Sequence, residues 1–445
     1  MTLAGAERPT SVIDVPAFID RQPVGGFQLR LMLICAAVLF VDGFDTQAIG
    51  YVAPALAKEW DLSRATLGPV FSAALFGLMI GALIFGSVAD RFGRKRVIVW
   101  STAMFGLGTL LTAFSPDVTW LMILRFLTGL GLGGAMPNAV ALTSEFSPHR
   151  RRASMVMTMF AGFSIGAALG GLAAAALIPA FGWRSVFMVG GAAALALVPL
   201  LMRQLPESIR FLALVGGRDR EVGAVLGRLS PSDAPPVDAR FGVDEPRLPG
   251  LPVAHLFAEN RTLTTLLLWV IFFMSLLDLY LLSNWLPTVL NDLGVSIAAA
   301  AAIGAMLQIG GVIGTFTLGR LVDRFSFKAL ALTYLFAAAS VAAIGLSGHS
   351  TPLVTLAITA AGFCIVGGQI ASNALTAMYY PTAIRSTGVG WALGIGRIGS
   401  IVGPLIGGAM LARHVEPKTL FMVAAVPALI AAAACLPLMR KAEAN

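Results

Sequence analysis

Along this chain the apolar residues run in long stretches broken by short polar clusters. Twelve stretches are long enough to span a bilayer, near residues 30–53, 66–89, 97–115, 118–146, 153–178, 184–203, 262–290, 296–322, 329–347, 352–378, 386–412 and 417–439. An α-helix rises about 1.5 Å per residue, so about 20 apolar residues cross the hydrocarbon layer. The pattern predicts an all-α integral membrane protein with twelve transmembrane helices. Three polar segments interrupt it: 1–29, 204–261, which is rich in Pro and Arg, and 440–445. They divide the chain into an N-terminal six-helix half over 30–203, a cytoplasmic linker, and a C-terminal six-helix half over 262–439. The first segment lacks the apolar core of a signal peptide, so the first helix is expected to remain as an anchor.

Composition agrees: 57% of the 445 residues are hydrophobic and 12% are charged, about half the usual charged share of a soluble protein. A net charge of +8 raises the question of nucleic acid, and its distribution answers it. Of the 31 Lys and Arg, 24 fall on the side holding both termini, five on the other (Lys58, Arg64, Arg184, Arg413, Lys418), and two, Arg125 and Arg397, inside the membrane. The positive-inside rule then places both termini in the cytoplasm and removes the nucleic-acid reading. Cys35, Cys364 and Cys435 lie in separate apolar helices without metal-ligand spacing and read as small buried hydrophobes. His149, His255, His349 and His414 fall in loops. No phosphate-binding loop and no metal cluster is visible, so an ATP-driven pump, a metalloenzyme and enzymes generally are disfavoured.

The two halves repeat one another. A step of 233 residues carries Asp45 to Asp278, Pro54 to Pro287, Gly77 to Gly310, Gly86 to Gly319, Asp90 to Asp323, Arg91 to Arg324, Gly134 to Gly367 and Arg152 to Arg385. One ungapped step over such a length means homologous halves. Six helices is an even number, so the halves are parallel repeats about an axis along the membrane normal, with a substrate site expected between them near the midplane.

The sharpest chemical signal is DGFD, residues 42–45, near the middle of the first span. A charge that deep costs roughly 2.5 kcal/mol or more. Asp42 and Asp45 are three residues apart, about 60° apart on a helix, so both can share a face lining a cavity or a pathway. Pairing with a neighbouring base to lock the bundle is the alternative.

Between the second and third helices of each half stands a repeated loop, GSVADRFGRKR (Gly86 to Arg96), which returns as GRLVDRFSFKA (Gly319 to Ala329). It resembles the cytoplasmic signature loop of the major facilitator superfamily. Gly86 then permits close helix approach, and Asp90 and Asp323 cap or pair across a half. Arg91, Arg94 and Arg324 serve topology and a state-dependent salt bridge. The whole chain is similar to the aromatic acid:proton symporters of that superfamily. The resemblance rests on DGFDTQAIGYVAP (42–54), RFLTGLGLGGAMPNAVALTSE (125–145), LPESIRFL (205–212), SNWLPT (283–288) and YYPTAIRSTGVGWALGIGRIGS (379–400). It implies the superfamily fold and proton-driven import of benzoate- or hydroxybenzoate-type carboxylates across a bacterial inner membrane. It further implies no cofactor beyond the proton gradient, the bilayer as surrounding partner, and a functional monomer. A drug or organic-ion proton antiporter, a sugar-porter-like carrier and a non-transporting chemoreceptor are the alternatives.

Arg397, in GIGRIGS, is a permanent cation flanked by Gly394, Gly396 and Gly399. Its planar fork matches a carboxylate, against a structural pairing with Asp278 or an acid of the first helix. The proton-coupling candidates are Asp45, Asp42 and Asp278, with Asp45 favoured because its repeat mate suggests a common cavity face. Trp285 lies seven residues after Asp278 on one face, with Asn284 beside it. Gln369 and Asn373, four apart, offer bonds to a ring hydroxyl or glue between helices. Phe44 and Trp391 are candidates for stacking on an aromatic ring. Arg125 and Glu145 take gating or structural roles, and Trp60, Trp120 and Trp183 are expected in the interfacial belt.

Overall fold

The computed structural model describes residues 12–236, 239–242, 253–347 and 350–443. Helices form from the long apolar stretches and break where the sequence supplies caps: the side chains of Ser63, Asp117 and Ser296 accept from backbone N–H groups of the first turn. In chain order the elements are β1 (Val12–Asp14), α1 (Val15–Arg21), α2 (Gly26–Trp60), α3 (Arg64–Phe92), α4 (Arg94–Thr112), α5 (Val118–Glu145), α6 (His149–Phe181), α7 (Arg184–Gln204), α8 (Ile209–Val215), α9 (Asp219–Leu229), β2 (Arg240–Gly242), α10 (Thr262–Asp292), α11 (Ile297–Leu346), α12 (Thr351–Tyr379), α13 (Thr382–Ala412) and α14 (Pro417–Glu443). The starts of α3, α5, α6 and α7 lie 233 residues before Ile297, Thr351, Thr382 and Pro417, where the corresponding elements of the second half begin.

Among the described residues, eleven helical segments are long and apolar enough to cross a membrane. The third predicted span, α4, falls short of that measure because its 19 residues open on Arg94, Lys95 and Arg96. It packs inside the N-terminal half against α5 and α7 and completes the twelve. The predicted spans 296–322 and 329–347 are joined as α11, with a sharp bend at Ser326 (φ 47°, ψ −131°). Its repeat mate Gly93 (φ 93°) separates α3 from α4. Both halves turn the chain at the same place through positive φ, which glycine adopts freely and serine does not.

Packing follows the repeat. In the first half α2 lies on α6, α3 on α5 and α4 on α7; in the second, α10 lies on α13 and α11 on both α12 and α14. The main contacts between the halves are α2 with α10, α3 with α13 and α6 with α11. At Gly50 the backbones of α2 and α10 meet, since a Cβ there would stand 2.6 Å from the Ser283 carbonyl oxygen. That crossing needs glycine.

The apolar core that the two halves share lies on the side remote from the termini. One apolar core runs through the C-terminal half and into the half of α2, α3, α6 and α7 remote from the termini. A second core, confined to the N-terminal half, occupies the side that carries the termini. On the side remote from the termini Arg64 pairs with Asp292, Phe71 meets Trp285 edge-on at 5.0 Å, and the Ser72 hydroxyl donates to the Ile401 carbonyl at 2.9 Å.

The segment predicted as linker is largely folded. β1 pairs in parallel with β2, and Val15, Ile19, Ile209, Leu212, Val222, Leu226 and Phe241 join the core of the N-terminal half. Leu256 belongs to the core of the other half, and Thr265 donates to its carbonyl.

Trp183 departs from its expected place in an interfacial belt. It is 2% exposed, donates from Nε1 to Glu59 at 2.8 Å and meets Trp60 edge-on. Trp120 is 54% exposed. His149 opens α6 rather than lying in a loop, and His349 is outside the described residues.

Candidate functional site

Two acids of α2 stand side by side and face different partners. Asp45 is held within the N-terminal half: Arg125 of α5 donates Nη1 to Oδ2 at 3.2 Å and Nη2 to Oδ1 at 3.0 Å, with the two side chains 0% and 2% exposed. The Thr109 hydroxyl of α4 lies 2.5 Å from Asp45 Oδ1 and 2.8 Å from the Phe105 carbonyl. Phe187 of α7 presents its ring 4.9 Å from the Arg125 guanidinium carbon. A two-pronged guanidinium–carboxylate pair in such surroundings is fixed in geometry and costly to break. Arg125, expected as a gating or structural residue, is thus the counter-ion of Asp45.

Asp42 is differently placed. It accepts from the Thr46 hydroxyl at 3.0 Å through Oδ1, and its Oδ2 is buried with no partner. Asp45 and, from the opposite half, Arg397 lie within its electrostatic range. A row of charges therefore crosses the molecule from one half to the other: Arg125, Asp45, Asp42, Arg397.

Arg397 stands on α13 with Gly390 and Gly394, seven and three residues earlier, on one helical face. A Cβ at either glycine would meet nothing within 4 Å, so that face opens on free space. Among the described residues no carboxylate lies within 4 Å of the guanidinium. Its neighbours are the Tyr280 hydroxyl at 3.3 Å and the Met136 sulfur, from the other half, at 3.6 Å. Elsewhere in the C-terminal half, both amide atoms of Gln369, Oδ1 of Asn373 and Oδ1 of Asn284 are buried without a hydrogen-bond partner.

Asp278 and Asp45, expected to present acids to one cavity, are built into their own halves. Asp278 is 1% exposed and neither oxygen has a partner. Tyr334 of α11 lies within its electrostatic range. The positions that repeat Arg125 and Thr109 are Ile358 and Ala342. The C-terminal half keeps the acid and lacks its counter-ion.

Other expected residues take the following places. Phe44 packs towards Gly170 and Gly190 and lines an apolar cavity of about 490 Å³ between α2, α6 and α7, on the outside of the N-terminal half. Trp285 is buried in the sealed seam, donating Nε1 to the Pro404 carbonyl at 2.9 Å. Trp391 stacks on Trp269 at 5.8 Å and follows Gly390 by one residue, a turn of about 100° that takes it off the Arg397 face. Glu145 pairs with Arg94 and accepts from Ser208 at 2.7 Å, while Glu207 accepts from the Lys95 backbone at 3.0 Å, which ties α8 to α4 and α5 within the N-terminal half. Gly86 is exposed with open space at its Cβ position, in place of the expected close approach. Asp90 is exposed, and Arg91 and Arg324 lie over the neighbouring Phe92 and Phe325 rings. The side chain of Asp323 is outside the described residues. Tyr280, Met136, Thr109 and Gln47 carry no motif that marks them in the sequence; the repeat pairs Met136 with Gln369 and Gln47 with Tyr280.

The family model of the major facilitator superfamily matches residues 35–263 and 268–445. A 4-hydroxybenzoate transporter, PcaK, of Pseudomonas aeruginosa is 44% identical over 427 residues, covering 95% of each chain. A gallate transporter of Pseudomonas putida is 43% identical over 426 residues, 95% of this chain and 94% of that one. Among solved structures, a D-xylose–proton symporter superimposes with a TM-score of 0.72 at 18% identity, over 92% of this chain and 98% of that one. A bacterial homologue of the human lysosomal transporter Spinster, inward-facing and unoccupied, gives 0.71 at 18% identity, over 94% and 98%. The chain belongs to the major facilitator superfamily, in its aromatic acid family, and is a transporter and not an enzyme.

Proposed function

We propose that the protein imports aromatic carboxylates together with protons by alternating access, in a bacterial inner membrane with both termini in the cytoplasm. The observation that carries this reading is Arg397: a guanidinium on the open face of α13, between the halves, with a phenol and a thioether beside it and, among the described residues, no acid in salt-bridge contact with it. A partly buried permanent cation inside the bundle calls for an anion, and a substrate carboxylate supplies one with matching geometry. The names of the relatives, a 4-hydroxybenzoate and a gallate transporter, support an aromatic acid as that anion. A carrier of cations would place acids, not a free guanidinium, on this face.

Coupling has a direct electrostatic origin. In the empty carrier Asp42 and Arg397 compensate each other across the gap. When a proton neutralises Asp42 and the substrate carboxylate neutralises Arg397, compensation is again complete. Proton alone or substrate alone leaves one charge uncompensated in a low-dielectric interior, which disfavours closing the halves around it. Asp45, clamped by Arg125, serves as the fixed partner, and Gln369, Asn373 and Asn284 offer hydrogen bonds to ring substituents. Distribution of Lys and Arg supports the cytoplasmic placement of the termini, and the seal remote from them corresponds to a carrier open to the cytoplasm.

Binding of 4-hydroxybenzoate to the purified protein tests the anion site. Arg397→Ala is expected to weaken it by roughly 10- to 100-fold, the worth of a charge-assisted pair. Arg397→Lys recovers only part, because a point charge lacks the planar fork. Unchanged affinity in both variants contradicts the reading.

A further inference from the structure

The repeat allows the two sides of the gap to be compared position by position. On the C-terminal side stand Tyr280, Asn284, Gln369, Asn373 and Arg397; their mates on the N-terminal side are Gln47, Tyr51, Met136, Val140 and Ser164. The first set is rich in polar atoms without partners. In the second, Met136 and Val140 are apolar, and the Tyr51 hydroxyl is already spent on the Ala167 carbonyl at 3.1 Å. Gln47 stands out. It is 1% exposed, and neither its amide nitrogen nor its amide oxygen has a partner. Leaving an amide buried and unpaired costs more than a hydrogen bond returns, so such a group persists where something bonds it at another stage.

Its position is fixed by two contacts. Three residues further along α2, Gly50 meets the Ser283–Asn284 backbone of α10. Gln47 thus lies one turn from the crossing of the two first helices, towards the side that carries the termini. Its mate Tyr280 lies one turn from the same crossing on α10, and the Tyr280 hydroxyl reaches Arg397. Gln47 and the Tyr280–Arg397 pair therefore stand on opposite halves, each one turn from the same crossing.

We propose that Gln47 is a specificity-determining residue that hydrogen-bonds a ring hydroxyl of the substrate on the side of the ring remote from the carboxylate held by Arg397. An amide suits that task, since it can donate to the phenolic oxygen and accept from its hydrogen. Met136 and Val140 supply apolar surface on this wall for the face of a flat ring. Selection for a hydroxylated over a plain benzoate then resides on the N-terminal half, and capture of the carboxylate on the C-terminal half. A hydroxylated substrate bridges the two. This inference rests on the carboxylate reading of Arg397.

The test is binding of 4-hydroxybenzoate and of benzoate to purified parent, Gln47→Leu and Gln47→Asn proteins. The parent is expected to bind the hydroxylated acid more tightly. In Gln47→Leu that affinity falls about 10-fold while benzoate affinity stays within about twofold, and Gln47→Asn lies between because a shorter amide reaches less well. Retained benzoate binding reports that the variants are folded. Equal losses for both ligands, or a parent-like ratio in Gln47→Leu, overturn the inference while leaving the carboxylate site in place. A parent that binds neither acid overturns both.

Discussion

At the scale of single residues, the environments of Asp42 and Asp45 separate their tasks. Asp45 is saturated by Arg125 and Thr109, whereas Asp42 keeps one oxygen without a partner and lies within electrostatic range of Arg397. Asp42→Asn imitates the protonated acid. The variant is expected to exchange labelled substrate for unlabelled across the membrane while losing uphill, pH-driven accumulation, which counterflow and gradient-driven uptake measure side by side. Asp45→Asn removes the counter-ion of a fully buried arginine, a change worth about 3–5 kcal/mol. Its expected signature is a lowered melting temperature before any coupling defect, read by thermal unfolding in detergent. Asp278, the repeat mate, tells why symmetry alone misleads at this scale: the acid recurs, but Ile358 and Ala342 stand where its partners would be.

At the scale of helices, the repeat carries over almost residue for residue, and the exceptions have local causes. The bend of α11 at Ser326 reproduces the turn at Gly93 with a residue poorly suited to positive φ. Ser326→Gly should relieve strain of about 1–3 kcal/mol and raise the melting temperature, with Gly93→Ser acting in the opposite direction. A melting temperature unmoved by Ser326→Gly contradicts strain at that bend. The spans were legible in the sequence because burial in lipid demands unbroken apolar runs, and the DGFD acids because charge has no place in such a run unless it is used. Which partner each acid meets was not legible. Arg125 lies 80 residues from Asp45 along the chain, and only the packing of α5 on α2 and α3 decides that their side chains converge. Phe44 and Trp391 were read as stacking candidates from residue type; the direction of each around its helix, towards Gly190 and Trp269, depends on which face a neighbouring helix covers.

At the scale of the whole molecule, two homologous halves share an apolar core on the side remote from the termini, and a row of opposed charges runs from one half to the other. The seal uses Arg64 with Asp292, Phe71 with Trp285 and Ser72 with Ile401, while the cores part on the side of the termini. In the alternating-access cycle proposed above, movement of one half against the other would open this contact region and close the opposite side, and the charge row would set which loaded states make that movement. The most direct measurement is uptake of labelled 4-hydroxybenzoate by proteoliposomes of the purified protein, acidic outside and alkaline inside. Arg397→Ala vesicles in parallel subtract permeation of the neutral acid through lipid. Proton-coupled carboxylate import predicts accumulation above the Arg397→Ala level that collapses when the pH gradient is dissipated. Uptake equal in parent and Arg397→Ala vesicles, or uptake indifferent to the gradient, would contradict it.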